Sequence, residues 1–163
     1  MIKNKKISQD VIAQTHHLRN EGIPFDASLI EGININRSAV ERRAATIGTR
    51  RSVKKEYQAA WLLKAISCMD LTTLAGDDTQ GNVFRLCAKA KNPVRKDLLE
   101  AMGMADAGIT TGAVCVYHNL IPYAVEALKG AKIPIAAVST GFPAGQISLP
   151  EKLREIELSV AAG

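Results

Sequence analysis

Aromatic side chains are scarce in this chain of 163 residues: three Phe, three Tyr and one Trp, 4% of the total. That scarcity leaves no aromatic interleaving of the kind on which nucleic-acid bases stack. Long apolar runs are missing as well. None approaches the ~20 residues needed to cross a bilayer, so no membrane partner is expected. The basic start Met1-Ile2-Lys3-Asn4-Lys5-Lys6 is not followed by the continuous apolar core of a secretory signal. Cysteine is limited to Cys68, Cys87 and Cys115, an odd number at wide spacing, which matches neither a disulfide framework nor a zinc site. A reducing, cytoplasmic setting is the expectation. No Gly-x-Gly-x-x-Gly follows a strand and no Walker pattern is present, which removes the usual sequence evidence for a dinucleotide or nucleoside triphosphate site.

What is present suits one soluble domain with a sizeable core: 47% hydrophobic and 23% charged residues. The net charge of +5 is unevenly spread. Residues 1–66 hold 12 Lys and Arg against 6 Asp and Glu, whereas residues 67–163 hold 9 against 10. The excess is concentrated at Arg37, Arg42, Arg43, Arg50, Arg51, Lys54 and Lys55. Such a cluster can meet a polyanion, but with no nucleic-acid motif beside it the reading adopted is a solvated helix face.

Apolar spacing predicts a short helix over residues 8–20 and a connector over 22–37. Ser38-Ala39-Val40-Glu41 has the form of a capping box, predicting a helix from there to about Gly48-Thr49. A second helix is expected after Ser52, with Val53, Tyr57, Ala60, Trp61 and Lys64 on one side and Trp61 as a packing anchor. From residue 66 the texture changes. Residues 66–74 read as a buried strand that ends in an acid and two threonines. A helix with Val83, Leu86, Cys87 and Ala90 on one face follows, closed by Asn92-Pro93. Leu98, Leu99 and Met102 add a helical turn before Gly103. Ala113–Tyr117 is the next strand, then a helix entered through Pro122 and ending near Gly130. Residues 133–140 form a third strand, and Gly141-Phe142-Pro143-Ala144-Gly145 a loop. Ser148-Leu149-Pro150-Glu151 is a second capping-box pattern, opening a helix whose expected buried stripe is Leu149, Leu153, Ile156 and Val160. Strand and helix in alternation imply right-handed parallel crossovers in an α/β fold. Strands this apolar call for cover on both faces. A doubly wound sheet and a (β/α)8 barrel both satisfy that, and in a barrel chemistry sits at the C-terminal ends of the strands. Asp70 and Thr72 occupy such a place, two apart and therefore on one face.

Met69-Asp70-Leu71-Thr72-Thr73-Leu74 with Asp77-Asp78-Thr79, then Leu86-Cys87, Ala113-Val114-Cys115-Val116-Tyr117 and Gly141-Phe142-Pro143-Ala144-Gly145-Gln146, resemble the deoxyribose-phosphate aldolase family in order and spacing. The stretch from Arg50 to Ala65 looks like the extended N-terminus of its animal-type members. The resemblance covers roughly residues 38–163. One departure is His118, where the family commonly has proline. What the resemblance implies is the first three βα units of a (β/α)8 TIM barrel at residues 67–163, behind an N-terminal helical extension at 1–66. It also implies a class I aldolase that cleaves 2-deoxyribose 5-phosphate to glyceraldehyde 3-phosphate and acetaldehyde through a lysine Schiff base, without metal or cofactor. A small phosphorylated sugar is then the partner, with a homo-oligomer left open. The alternative is an inactive fragment whose basic helices bind a polyanion or a protein.

Such a lysine belongs at or inside a strand's C-terminal end. None of the chain's lysines falls there, and Lys132 lies at the wrong end of a strand. The resemblance implies that the Schiff-base lysine, a second lysine and the proton-shuttling aspartate all lie beyond Gly163. Within the chain it assigns substrate contact to Asp70 and, more weakly, Thr72, and it places Cys115 near the pocket. The residues by themselves read Cys115 as a small buried hydrophobe, Cys87 as core, and the loop at 141–145 as a plain strand-to-helix turn rather than an anion site. His16-His17 lack a third ligand and are not expected to bind metal. Three parallel strands cut from a barrel leave a sheet edge unpaired. The chain alone is therefore expected to self-associate, which sedimentation checks; a clean unfolding transition from a monomer would count against it.

Overall fold

The computed structural model describes residues 24–50 and 52–163. The helix expected at 8–20 and the pair His16-His17 lie outside the described residues. The described chain divides into two compact units, the boundary falling between Leu63 and Lys64.

In the first unit a 3-10 turn at Ala27–Leu29 is capped by Asp26, whose carboxylate accepts from Ser28 N at 2.9 Å. Helix α1 spans Arg37–Arg50 and helix α2 spans Lys55–Ile66, the boundary between the units falling in its last turn. The cap of α1 corrects the sequence reading: Asn36 Oδ1 accepts from Ala39 N at 3.0 Å, and Ser38 is already inside the helix. Asparagine caps as well as serine does, and here it stands two residues earlier. That frees Glu41 to accept from Arg37 Nε at 2.7 Å across one turn. The side chains of Arg37, Arg42, Arg43, Arg50, Lys54 and Lys55 are exposed. On α2 the expected packing face is also wrong. Trp61 is 64% and Tyr57 70% exposed, while the least exposed positions are Ala59, Leu63 and Ile66. This helix carries apolar residues around most of its circumference, so period alone could not choose between two stripes.

The second unit is a three-stranded parallel sheet with helices on one face. Strand β1 is Asp70–Thr72, β2 is Ala113–Tyr117 and β3 is Ile135–Val138, in the order β1-β2-β3. Strand β2 has the predicted bounds. The first strand is far shorter than residues 66–74, because Ile66 still ends α2 and the chain turns there, with Cys68 N donating to Ala65 O at 3.0 Å. It is also not buried, since Asp70 and Thr72 are exposed. Between the strands run α3 (Gln80–Lys91), the short α4 (Lys96–Ala101) and α5 (Ile121–Ala127); α6 (Leu149–Ala161) follows β3. Thr79 caps α3 by accepting from Asn82 N at 3.3 Å, and Pro122 stands in the first turn of α5, where no donor is missed.

The register pairs Leu71 with Val114 and Val114 with Ile135, and Val116 with Ala137. Side chains alternate along a strand, so these five share the face on which α3 and α5 pack. There Val83, Cys87, Ala90, Val114, Val116, Ile121, Ala124, Leu128 and Ile133 form the core, each no more than 2% exposed. Gly112 permits the entry into β2. A Cβ there would stand 2.9 Å from Ser67 O, and Gly112 N donates to Met69 O at 2.9 Å. Two backbones meet at that point, and only glycine leaves room.

Helix α6 packs through a different face from the expected one. Leu149, Leu153, Ile156 and Val160 are between 41% and 67% exposed. The half-buried positions are Lys152, Glu155, Ser159 and Ala162, a stripe of the same helical period turned by roughly 100° from the expected one. Ser148 is the N-cap, yet its side chain makes no capping hydrogen bond. Glu155 is on the packed side, its carboxylate beside the loops that follow β2 and β3. In this chain, Leu128→Ala should therefore cost about 2–5 kcal/mol or abolish cooperative unfolding. Leu153→Gln should change stability by no more than about 0.5 kcal/mol in the same denaturant titration.

Candidate functional site

The face of the sheet opposite the core carries the polar groups. Thr72 pairs with Cys115 and Cys115 with Ala136, while Tyr117 pairs with Val138. Alternation then puts Asp70, Thr72, Cys115 and Tyr117 on one side. Thr72 and Tyr117 end β1 and β2, whereas Asp70 opens β1 rather than ending it as the longer strand read from the sequence suggests. The three residues assigned from the sequence are thus neighbours. Tyr117, two places beyond Cys115 on the same strand, joins them; that spacing alone could have found it. Phe142, from the loop after β3, meets Tyr117 edge to face with ring centroids 6.2 Å apart.

Cys115 is only 7% exposed. Burial pushes its thiol above the ordinary value and the negative charge of Asp70 adds to this, against the Thr72 hydroxyl and the backbone of Val138, which favour the thiolate. The group is therefore a protonated thiol and a poor nucleophile. Asp70 is exposed, and Thr72 donates through Oγ1 to Asp70 O at 3.3 Å. Cys87 lies wholly in the core, as expected.

The loop after β1 is built around Asp78. Burial would raise its carboxyl, but Thr73 Oγ1, Ala75 N and Asn82 Nδ2 donate to it and together hold it below the usual carboxylate range. Thr73 N also donates to Cys115 O at 3.1 Å, carrying the parallel ladder one residue past β1. Asp78 thereby fixes how the chain leaves the strand. The loop at 141–145 is a turn closed by Gly145 N donating to Gly141 O at 2.8 Å. The amide of Gly141 already donates to Glu155 Oε2 at 2.8 Å. A carboxylate occupies the donor that an anion would need, which favours the plain turn.

Of the described lysines, Lys152 alone is half-buried, in the first turn of α6; Lys54, Lys55, Lys64, Lys89, Lys91, Lys96, Lys129 and Lys132 are exposed. None lies on a strand. Among the described residues no group of three or more His, Cys, Asp or Glu is placed to hold a metal ion, and no helix is long and apolar enough to cross a membrane.

Three consecutive parallel βα units, with Asp70, Thr72, Cys115 and Tyr117 on the face away from the helices, define a parallel α/β fold. The sequence relatives narrow this further. The chain is homologous to deoxyribose-phosphate aldolases: it is 57% identical to the Bos taurus protein of that name over 145 residues, 88% of this chain and 46% of that one. The Homo sapiens protein is 57% identical over 146 residues, 88% of this chain and 46% of its own length. The Mus musculus protein is 58% identical over 144 residues, 87% of this chain and 45% of its length. The chain thus spans about half the length of the curated relatives it matches. No protein-family model matches it. Among solved structures, the crystal structure of a protein provisionally named a deoxyribose-phosphate aldolase, from Coccidioides immitis, is 19% identical and superposes with a TM-score of 0.49 over 80% of this chain and 46% of that one.

If Asp70 bears on Cys115 as described, Asp70→Asn should lower the thiol's pKa and raise its thiolate fraction. Alkylation of Cys115 below its pKa, followed by mass spectrometry in a Cys68→Ser background, should then run about two- to fivefold faster. An unchanged rate would separate the two groups.

Proposed function

We propose that this chain supplies the first three βα units of a deoxyribose-phosphate aldolase barrel, acting on 2-deoxyribose 5-phosphate. The observation that carries the reading is the 57% identity to the bovine aldolase across 88% of the chain. The geometry supports it, because Asp70, Thr72 and Cys115 lie together on the face that would turn inward if the sheet closed into a barrel. The substrate is a small phosphorylated sugar, the setting cytoplasmic, and the process the breakdown of deoxyribonucleosides.

The reaction asks for an amine that attacks the sugar carbonyl, and an amine attacks only when deprotonated. A neighbouring cation or burial has to depress its pKa. The iminium so formed then takes up the electron pair released when the carbon–carbon bond breaks. No described lysine meets the placement that step needs, so in this reading the Schiff-base lysine, its partner lysine and the proton-shuttling aspartate come from segments other than the described residues. Asp70 and Thr72 provide contacts to the sugar hydroxyls, and Cys115 lines the wall as an inert neutral thiol. On its own the chain is inactive.

A chimera tests both halves of this. The chain replaces its matched segment in the bovine relative, and retro-aldol turnover is followed with borohydride trapping in the presence of 2-deoxyribose 5-phosphate. The chimera should turn over and give one covalent adduct, whereas the chain alone should give none. Within the chimera, Asp70→Asn should lower kcat/KM by about tenfold to a hundredfold. A folded chimera with no turnover, or an adduct on a lysine of the isolated chain, would overturn the reading.

A further inference from the structure

The inward turn of α6 places a single carboxylate between the ends of two strands. Glu155 is on the helix face that packs, with its side chain 16% exposed, while the leucines and isoleucine around it point out. Its Oε2 accepts from Gly141 N at 2.8 Å, and its Oε1 stands 3.1 Å from His118 Nδ1. The first contact is a well-formed hydrogen bond. The second is at ion-pair distance but off the hydrogen-bond line, since His118 Nδ1, though buried, has no aligned partner. Burying a carboxylate is costly unless charge-assisted bonds replace its water; the Gly141 amide supplies one such bond, and His118 Nδ1 stands beside the other oxygen without donating to it.

Both contacts flank one feature. His118 directly follows Tyr117, and Gly141 directly precedes Phe142; these are the two rings that meet edge to face at the mouth of the sheet. The backbone between β3 and Phe142 is unusual. Thr140 and Gly141 both have positive φ, 60° and 77°, and a non-glycine residue in that region persists only where the surroundings hold it. Within the segment Gly145 N donates to Gly141 O and Thr140 Oγ1 to Ser139 O, both at 2.8 Å, and the bond from Gly141 N to Glu155 is the one that reaches α6. We infer that Glu155 is a positioning residue: its two carboxylate oxygens tie the loops after β2 and β3 together, and so set the Tyr117–Phe142 pair that closes the site face above Cys115. The role stands on loop geometry and not on the aldol reading. His118 is the adjustable arm of the tie, and it is where this chain departs from the proline common in the family it resembles.

The test uses the chain without substrate. Nuclear magnetic resonance reads the Gly141 amide proton and the ring contact between Tyr117 and Phe142, and thiol labelling in a Cys68→Ser background reads access to Cys115. Glu155→Leu, which keeps a side chain able to pack, should shift the Gly141 amide upfield, remove the ring contact and speed labelling of Cys115 about fivefold or more as the mouth opens locally. Glu155→Gln retains an oxygen that accepts from Gly141 and should restore the amide signal and slow labelling. His118→Ala should leave the Gly141 amide in place and loosen only the ring contact. Should Glu155→Leu unfold the chain, the Gln and His118 variants still decide. A Gln variant that labels as fast as wild type while its Gly141 amide is lost, or a Leu variant with all three signals unchanged, would overturn the inference.

Discussion

The register of three parallel strands is the constraint from which the rest follows. Strand β2 sits between two neighbours, and its alternation sends Val114 and Val116 into a core where both are wholly buried. The same alternation sends Cys115 and Tyr117 the other way. A slip of one residue would drive a thiol and a phenol into the helices and bring two valines to the polar face. Burial of those valines, each contributing about 1.5–3 kcal/mol, therefore selects the site face as well as the core. Strand β1 inherits the choice through its pairing, which places Leu71 with Val114 and Thr72 with Cys115.

Around that sheet, the polar groups that look catalytic in type spend much of their capacity on shape. Asp78 gathers donors from Thr73, Ala75 and Asn82 to define one loop, and Glu155 accepts from the Gly141 amide with His118 close by. Asp70 is different. It is exposed, and its charge reaches a neighbouring thiol. Its carboxylate is left facing outward, whereas Asp78 is already committed to its loop.

The parts legible in the sequence were those governed by local rules. Strand β2 came out at its observed bounds because Gly112 and the Tyr117-His118 break bracket five apolar residues. The buried face of α3 came out because Val83, Cys87 and Ala90 recur at one period with no rival stripe. Asp70, Thr72 and Cys115 were placed on one wall by resemblance and by two-residue spacing, and the pairing brings them together. The errors have a common origin. On α2, Trp61 seemed the anchor, yet Ala59, Leu63 and Ile66 are the least exposed. On α6, Leu149, Leu153, Ile156 and Val160 seemed buried, yet Glu155 faces in. Both helices carry two stripes of the same period, and a period states that a face exists without stating which face meets a partner.

Sequence alone determined the order of strands and helices, the parallel class that follows from it, and the family likeness carried by the strand-end motifs. Each depends on neighbours within a few residues. Only the tertiary structure decided which side of α6 packs and that Tyr117, Phe142, His118 and Glu155 converge. Those outcomes depend on donors and acceptors far apart in the chain. The Gly141 amide, for example, finds its acceptor 14 residues away, and no local pattern encodes a partner at that distance.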